Sequence, residues 1–220
     1  MDSEHTEAPA QRIALWADRL RDISASGLRY AGEVHDCENY QVIQDIAMQM
    51  LALATGESLQ AMEPLRAPVF SRPTPIVVGD AAIINEAGEI LLIRRAQSGL
   101  WATPGGAMSV GETPAEGVAR EALEETGVHS RPIHLIGVYD NRLSGGASRH
   151  HLYVFLFLCQ LVDGRSAGEP SHPSETLDRG WFSEGNLPKN LEPGHVRRIR
   201  DAFRAWRGSR VTHFDPLPED

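Results

Sequence analysis

Residues 106–128 read GAMSVGETPAEGVAREALEETGV, and the rest of the chain is organised around them. Thr113-Pro114-Ala115-Glu116 has the S/T-x-x-E form of a capping box, with proline at the first helical position, where its missing N–H leaves no bond unmade. Gly127 supplies a left-handed stop. The spacing predicts a helix between the two. At 100° per residue, Glu121, Glu124 and Glu125 fall within one arc of about 100°, and Gly117 shares it. Val118, Ala119, Ala122, Leu123 and Thr126 occupy the other side. One face therefore packs on a core while the other presents carboxylates. At that density carboxylates repel one another unless a cation sits among them, which points to a divalent metal site. On composition alone a solvated acidic helix competes with that reading. Arg120 flanks the acidic face, within reach of a bidentate contact to one carboxylate.

The spacing decides between the two. Gly106, Glu112, Arg120, Glu121, Glu124, Glu125 and Gly127 match the pattern G-x5-E-x7-R-E-U-x-E-E-x-G-U at every fixed position, with Ala122 and Val128 in its apolar slots. At roughly 7% per residue type, so many fixed positions coincide by chance about once in 10⁸ placements. The chain thus resembles the Nudix hydrolases, and Trp101-Ala102-Thr103-Pro104-Gly105-Gly106 is similar to the family's W-x-x-P-G-G lead-in. The resemblance implies an α/β fold, the Nudix α/β/α sandwich with a mixed sheet. It also implies hydrolysis of a diphosphate bond with Mg²⁺ as cofactor and Mn²⁺ as a substitute. Glu121, Glu124 and Glu125 become metal ligands, joined by the carbonyl of Gly105 or Gly106. Arg120 orients a carboxylate, Glu112 supports the loop, and Glu116 belongs to the cap. In several relatives the general base lies outside this segment, before a W-F-like strand. That description fits Glu175, ahead of Trp181-Phe182, with Glu121 as the competing base and Asp178 and Glu169 as weaker ones.

Composition bounds the partners. The net charge of −9 gives no electrostatic footprint for nucleic acid or an anionic membrane. An acidic protein that handles polyphosphates needs cations between like charges. Cys37 and Cys159 are the only cysteines, with no metal-ligand spacing, and read as free thiols of a reducing cytoplasm. The amino terminus has no leader pattern. The longest apolar run, Leu152 to Cys159, suits a buried strand and not a membrane span.

Residues near 10–66 read as helical. Ile13, Trp16, Leu20 and Ile23 recur at helical spacing with Gly27 placed as a stop. Tyr40, Ile43, Ala47, Met50, Leu51 and Ala54 form a second stripe ended by Thr55-Gly56, and a short third helix starts at Ser58 and ends before Pro64. So small a unit buries little by itself and needs a partner surface, either the rest of the chain or a second copy. The prolines of Ala67 to Pro75 mark a linker, dividing a helical domain (1–70) from a second domain (71–220). Beyond it, Ile76–Ile84 and Glu89–Arg95 read as strands joined by a hairpin turn at Asn85–Gly88. Further strands follow near 131–140, 150–160 and 178–183. A last helix has Val196, Ile199, Phe203 and Trp206 on one face and Arg197, Arg198, Arg200, Arg204 and Arg207 on a solvated one.

Leu15–Leu20, Gly27–Tyr30 and Asp36–Tyr40 look like the helical domain that precedes some Nudix domains, in hydrolases of nucleoside diphosphates linked to another group, X. Those relatives are dimers, which implies a homodimer here. Arg94 and Arg95 end a strand leading to the glutamate segment, and alternation lets at most one of them meet a substrate phosphate. The loop from Asp140 and Arg142 to Arg149, His150 and His151, with Gly145-Gly146 inside it, is longer than a hairpin needs, as functional loops are, and Arg142 and His151 are its candidate substrate-binding residues. Adjacent His150 and His151 cannot both face inwards. The expected activity is cleavage of a nucleoside diphosphate–X compound, ADP-ribose or CDP-choline, to a nucleoside monophosphate and phosphorylated X, with CDP-choline slightly favoured by the amino-terminal resemblance to CDP-choline pyrophosphatase-like proteins. The alternatives are hydrolysis of nucleoside triphosphates or RNA ends, and a nucleotide-sensing regulator without turnover.

Overall fold

The computed structural model describes residues 8–70, 75–143, 151–162, 168–171 and 174–217. The chain forms two compact units, Met1–Thr74 with Ser109–Gly111, and Pro75–Met108 with Glu112–Asp220.

The first unit is helical: α1 (Pro9–Tyr30), α2 (Val34–Thr55) and α3 (Leu59–Met62), continued by a 3-10 turn at Glu63–Leu65 and a π turn at Arg66–Phe70. Gly56, at φ 72°, ends α2 in the left-handed conformation, as its sequence position predicts. Gly27 does not stop α1, which runs on to Tyr30. A Cβ on Gly27 would lie 2.2 Å from Tyr40 Cε1, so this glycine lets the α2 tyrosine lie against the α1 backbone. The short α3 begins at its Ser58 cap and ends before Pro64, as its sequence predicts, and a 3-10 turn takes that proline in its first positions, where no N–H is required. Phe70, inside the expected linker, is buried with Ala47, Met48, Ala52 and Met62. Its carbonyl accepts a bond from the buried Gln44 side chain (3.1 Å).

The second unit is a layered α/β structure. A five-stranded mixed sheet has the order β4-β1-β6-β5-β8, and a three-stranded sheet the order β3-β2-β7. The strands are β1 (Ile76–Ile83), β2 (Glu89–Arg95), β3 (Trp101–Ala102), β4 (Gly105–Ala107), β5 (Ser130–Asp140), β6 (Leu152–Leu161), β7 (Thr176–Ser183) and β8 (His213–Phe214). The helices are α4 (Pro114–Thr126) and α5 (Pro193–Trp206). Alternation along β1 and β2 sends Ala81, Ile83 and Leu91 to a core with Val118 and Ala122 of α4. Ala82, Ile84, Ile90 and Leu92 go to a core with Ile199, Ala202 and Phe203 of α5. Period-two strands between two amphipathic helices give the three layers.

Two expectations are corrected. The turn at Asn85–Gly88 forms, with Gly88 N–H donating to the Asn85 carbonyl (3.0 Å), but β1 and β2 meet only at an Ile84–Ile90 bridge and then diverge into different sheets. The hairpin reading fails because β1 pairs in parallel with β6 along its whole length. In α5, Arg198 is buried while Val196 and Trp206 stand out, so the core-facing arc is rotated towards His195, Arg198 and Ala202.

Candidate active site

The capping box of α4 forms as the sequence predicts. Thr113 Oγ1 accepts the Glu116 N–H (3.2 Å), Glu116 Oε2 accepts the Thr113 N–H (2.7 Å), and Gly127 closes the helix at φ 69°. Its acidic face is held by Arg120. The guanidinium bonds Glu112 through Nε (3.0 Å) and Nη2 (2.9 Å) and reaches Glu121 (2.8 Å) and Glu124 (3.0 Å) through Nη1. The bidentate partner is thus Glu112, and one cation serves three carboxylates. Glu112, the strongest partner, keeps Arg120 firmly protonated. Gly117 makes room for this clamp, since a Cβ there would lie 2.8 Å from Glu112 Oε1.

Glu125 lies deeper, 6% exposed. Its Oε2 accepts the Gly105 N–H at 2.7 Å. Burial pushes its pKa up to about 7, against the opposing Gly105 bond and Arg95 charge. Burial likewise raises Glu121, against the pull of Arg120. Gly105 sits at φ 153°, and a Cβ there would meet the Gly79 carbonyl at 2.2 Å and Asp80 Oδ1 at 2.7 Å. A Cβ on Gly106 would meet Glu121 Oε2 at 2.5 Å. Both glycines are therefore required by close approach, one to β1 and one to the carboxylate.

These residues suit a hard divalent cation. The side-chain donors of the α4 face are carboxylate oxygens, the cradle at Gly106 admits no Cβ, and Asp80 Oδ1 is buried beside Gly105 without a hydrogen-bond partner. Among the described residues, however, no group of three acidic, histidine or cysteine side chains is already gathered as a ligand set. Arg120 bridges the carboxylates instead.

The other candidates divide. Arg95 turns towards the site, where Nη2 donates to the Gly105 carbonyl (3.2 Å). Arg94 turns away, to the Gly99 carbonyl (3.1 Å). Glu175 is exposed at the start of β7, and its carbonyl accepts the Ala96 N–H (2.9 Å), one residue past Arg95. Arg142 and His151 form a separate group around Asp140. Arg142 Nη2 lies 2.5 Å and His151 Nε2 3.2 Å from Asp140 Oδ2, and Arg142 holds that carboxyl below the usual range. Gly145, Gly146, Arg149 and His150 lie outside the described residues.

A buried polar group beneath the glycine turn escaped the sequence reading. Thr103 Oγ1 donates to Asp80 Oδ2 (3.0 Å), Arg198 Nη1 lies 3.3 Å from the same oxygen, and His195 Nδ1 accepts the Thr103 N–H (3.2 Å). Two signals were present: Asp80 is the only charged residue in β1, and His195 falls on the same α5 face as Ile199 and Ala202.

A family model described as the NUDIX domain matches residues 74–202. A second, described as the UDP-X-like, N-terminal oligomerisation domain, matches residues 11–65. A Bacillus subtilis protein described as a putative ADP-ribose pyrophosphatase is 31% identical over 86% of this chain and 90% of its own length. The ADP-ribose pyrophosphatase of Methanocaldococcus jannaschii is 35% identical over 60% of this chain and 75% of its own. Among solved structures, a UDP-X diphosphatase covers 93% of this chain and 99% of its own, with a TM-score of 0.56 and 24% identity, a likeness of fold.

Proposed function

Since this chain belongs to the NUDIX domain family and is a Nudix pyrophosphohydrolase, we propose that its substrate is a nucleoside diphosphate linked to X, with ADP-ribose first. The products are then a nucleoside monophosphate and phosphorylated X. The observation that carries this choice is the 90% coverage of a relative described as a putative ADP-ribose pyrophosphatase, a match long enough to take in part of the helical unit. The match of residues 11–65 to a model described as UDP-X-like supports the wider substrate class.

Nudix hydrolases generally use divalent metal ions. Glu121, Glu124 and Glu125, with the Gly106 carbonyl, are the groups proposed to hold Mg²⁺ here. Bound there, the ion would supply charge neutralisation at the phosphate oxygens and acidify a coordinated water. The protein's own part is positioning. Arg120 ties Glu121 and Glu124 to Glu112, and the Gly105 N–H aims Glu125. Arg95, its guanidinium at the glycine turn, is proposed to meet a substrate phosphate. Water adds to phosphorus as the bridging oxygen leaves, and a carboxylate takes the water's proton. Glu121 and Glu175 are the two candidates for that carboxylate. Burial raises Glu121, which makes its carboxylate the better proton acceptor.

We further propose that the helical unit makes the protein a homodimer, in keeping with its match to an oligomerisation domain, and that the protein works in the cytoplasm. No described helix is long and apolar enough to cross a membrane.

The test is a panel of ADP-ribose, CDP-choline, a UDP-sugar, NADH, dinucleoside polyphosphates and nucleoside triphosphates, incubated with the protein and Mg²⁺ or Mn²⁺. AMP and a phosphosugar from ADP-ribose are expected. Faster release of pyrophosphate from nucleoside triphosphates would overturn the substrate choice, and tight binding without turnover of any compound would overturn the catalytic reading.

A further inference from the structure

The segment Trp101–Gly105 carries the chain from the three-stranded sheet to the five-stranded one. Ala102 still pairs with Ile93 of β2, and Gly105 already pairs with Asp80 of β1. At such a crossing the ladder has gaps. Pro104 brings no N–H, and the Thr103 N–H, on a residue with no exposure, needs an acceptor from outside both sheets. His195 provides it. Its Nδ1 lies 3.2 Å from the Thr103 nitrogen and 2.8 Å from Thr103 Oγ1.

From this we propose that His195 is a positioning residue for hydrolysis, a neutral Nε2–H imidazole of α5 that holds the Thr103-Pro104-Gly105 turn in register with Glu125. The proposal rests on the reading of that turn and Glu125 as part of the catalytic centre. The Thr103 N–H, aimed at Nδ1, is the observation that selects the tautomer. A proton on Nδ1 would face the Thr103 N–H donor to donor, so Nδ1 is bare and accepts. The Thr103 hydroxyl, with one proton to give, faces Nδ1 and Asp80 Oδ2 as alternative acceptors. The ring proton then sits on Nε2, on the side of Glu192 Oε2 at 3.8 Å. Asp80 Oδ2 is 3.6 Å from Nδ1, too far to compete for it. Burial, with the charges of Arg198 and Arg95 beside the ring, disfavours an imidazolium there.

The sheet holds the turn at one further point, where the Ala81 N–H donates to the Pro104 carbonyl (2.8 Å). The Glu192 N–H donates to the Trp101 carbonyl (2.8 Å) and the Trp101 N–H to the Asn190 carbonyl (3.0 Å), which fixes the entry to the segment. At the exit, the Gly105 N–H meets Glu125 and the Gly105 carbonyl meets Arg95. Between the two, Thr103 is held by His195 and Asp80. Loss of the His195 bond at Thr103 loosens the middle of the turn, next to the Gly105 N–H that meets the Glu125 carboxylate.

The experiment compares His195→Leu and His195→Asn in the full chain with Mg²⁺ and ADP-ribose. Asparagine places an acceptor oxygen where Nδ1 stood; leucine does not. Removing a group that orients a metal-site residue lowers activity about 10- to 100-fold. His195→Leu is expected to lose kcat in that range with KM changed less than about twofold, and His195→Asn to recover most of it. Wild-type kcat in folded His195→Leu would overturn the proposal, as would equal losses in the leucine and asparagine variants. Two readouts on metal-free protein stand apart from turnover. Nitrogen-15 spectra are expected to show the Nε2–H tautomer, and an Nδ1–H signature overturns the proposal. Amide exchange at Thr103 and Gly105 is expected to quicken in His195→Leu more than in core strands, and unchanged protection overturns it. If leucine at 195 prevents folding, the spectra and His195→Asn still decide. If wild-type protein turns over no compound, the proposed function fails while the spectra and exchange still test His195.

Discussion

At Glu125 the protein holds a carboxylate where it is poorly hydrated, with one N–H bond in partial compensation. Its pKa rises from 4.5 to about 7. The sign follows directly. A group that binds its proton more tightly folded than unfolded costs stability as pH climbs from the unfolded to the folded pKa, here across about 4.5 to 7. At about 1.4 kcal/mol per unit, Glu125 costs the metal-free protein on the order of 3 kcal/mol at pH 8. Glu125→Gln should therefore raise the metal-free melting temperature at pH 8, leave it unchanged at pH 4.5, and abolish metal-dependent turnover. An unaltered or lower melting temperature at pH 8, or wild-type turnover, would refute the reading. The proton acceptor is separated by one further variant. Because Glu121 is also a proposed metal ligand, Glu175→Gln carries the assignment: kcat within about tenfold of wild type leaves Glu121 as the base, and a loss of more than about a hundredfold assigns it to Glu175. The carboxylates were legible in the sequence because a helix converts their spacing into one face. The Asp80, Thr103 and His195 group was not, since its members lie on three elements brought together only by the sheet crossing.

Between residue and molecule, the elements show which periodicities can be read without knowing the partner. Strand alternation and the α4 caps could be, because both are local. The role of Gly27 could not: a glycine near the end of an apolar stripe looks like a stop, yet here it faces the Tyr40 ring of α2 inside a continuing helix. The face of α5 was misjudged for a related reason. Large apolar side chains set the expected face, but Ala202 and Ala205 pack against the sheet while Val196 and Trp206 stay out, and a charged Arg198 is admitted because Asp80 awaits it. The glycine claim has a clean test in a double-mutant cycle. Gly27→Ala should destabilise the protein by about 1–3 kcal/mol, as overpacking does. With Tyr40→Ala already in place, the same substitution should instead stabilise by up to about 1 kcal/mol, the helix-propensity gain. Denaturant melts of the four proteins supply the comparison, and a penalty that persists without the tyrosine ring would remove the packing explanation.

For the whole molecule the open question is what covers the outer face of α2. Gln44, Ala47, Met48 and Ala52 turn inwards, and Val42, Ile46 and Leu53 lie on the opposite arc, 57%, 43% and 73% exposed. A helix with apolar residues on both sides is one that packs on both sides. The two stripes also blur each other in the sequence, where Met50 and Ala54 fit a helical stripe whose core positions Met48 and Ala52 hold. A small helical unit gains little from one face alone, and hydrophobic groups of this size contribute about 1.5–3 kcal/mol each when fully buried. The match to an oligomerisation domain agrees with a second copy as the cover. The expected result is a dimer by sedimentation at micromolar concentration, and a monomer once Ile46→Glu and Leu53→Glu are combined, since carboxylates cannot be buried there unpaired. Both residues are exposed within one chain, so the variant monomer should keep its helical content. A wild-type monomer at micromolar concentration would refute the dimer, and a variant that remains dimeric would move the interface to another surface. A variant that unfolds would show that the helical unit depends on its partner for stability, which dilution of the wild-type protein would then reproduce as a concentration-dependent melting temperature.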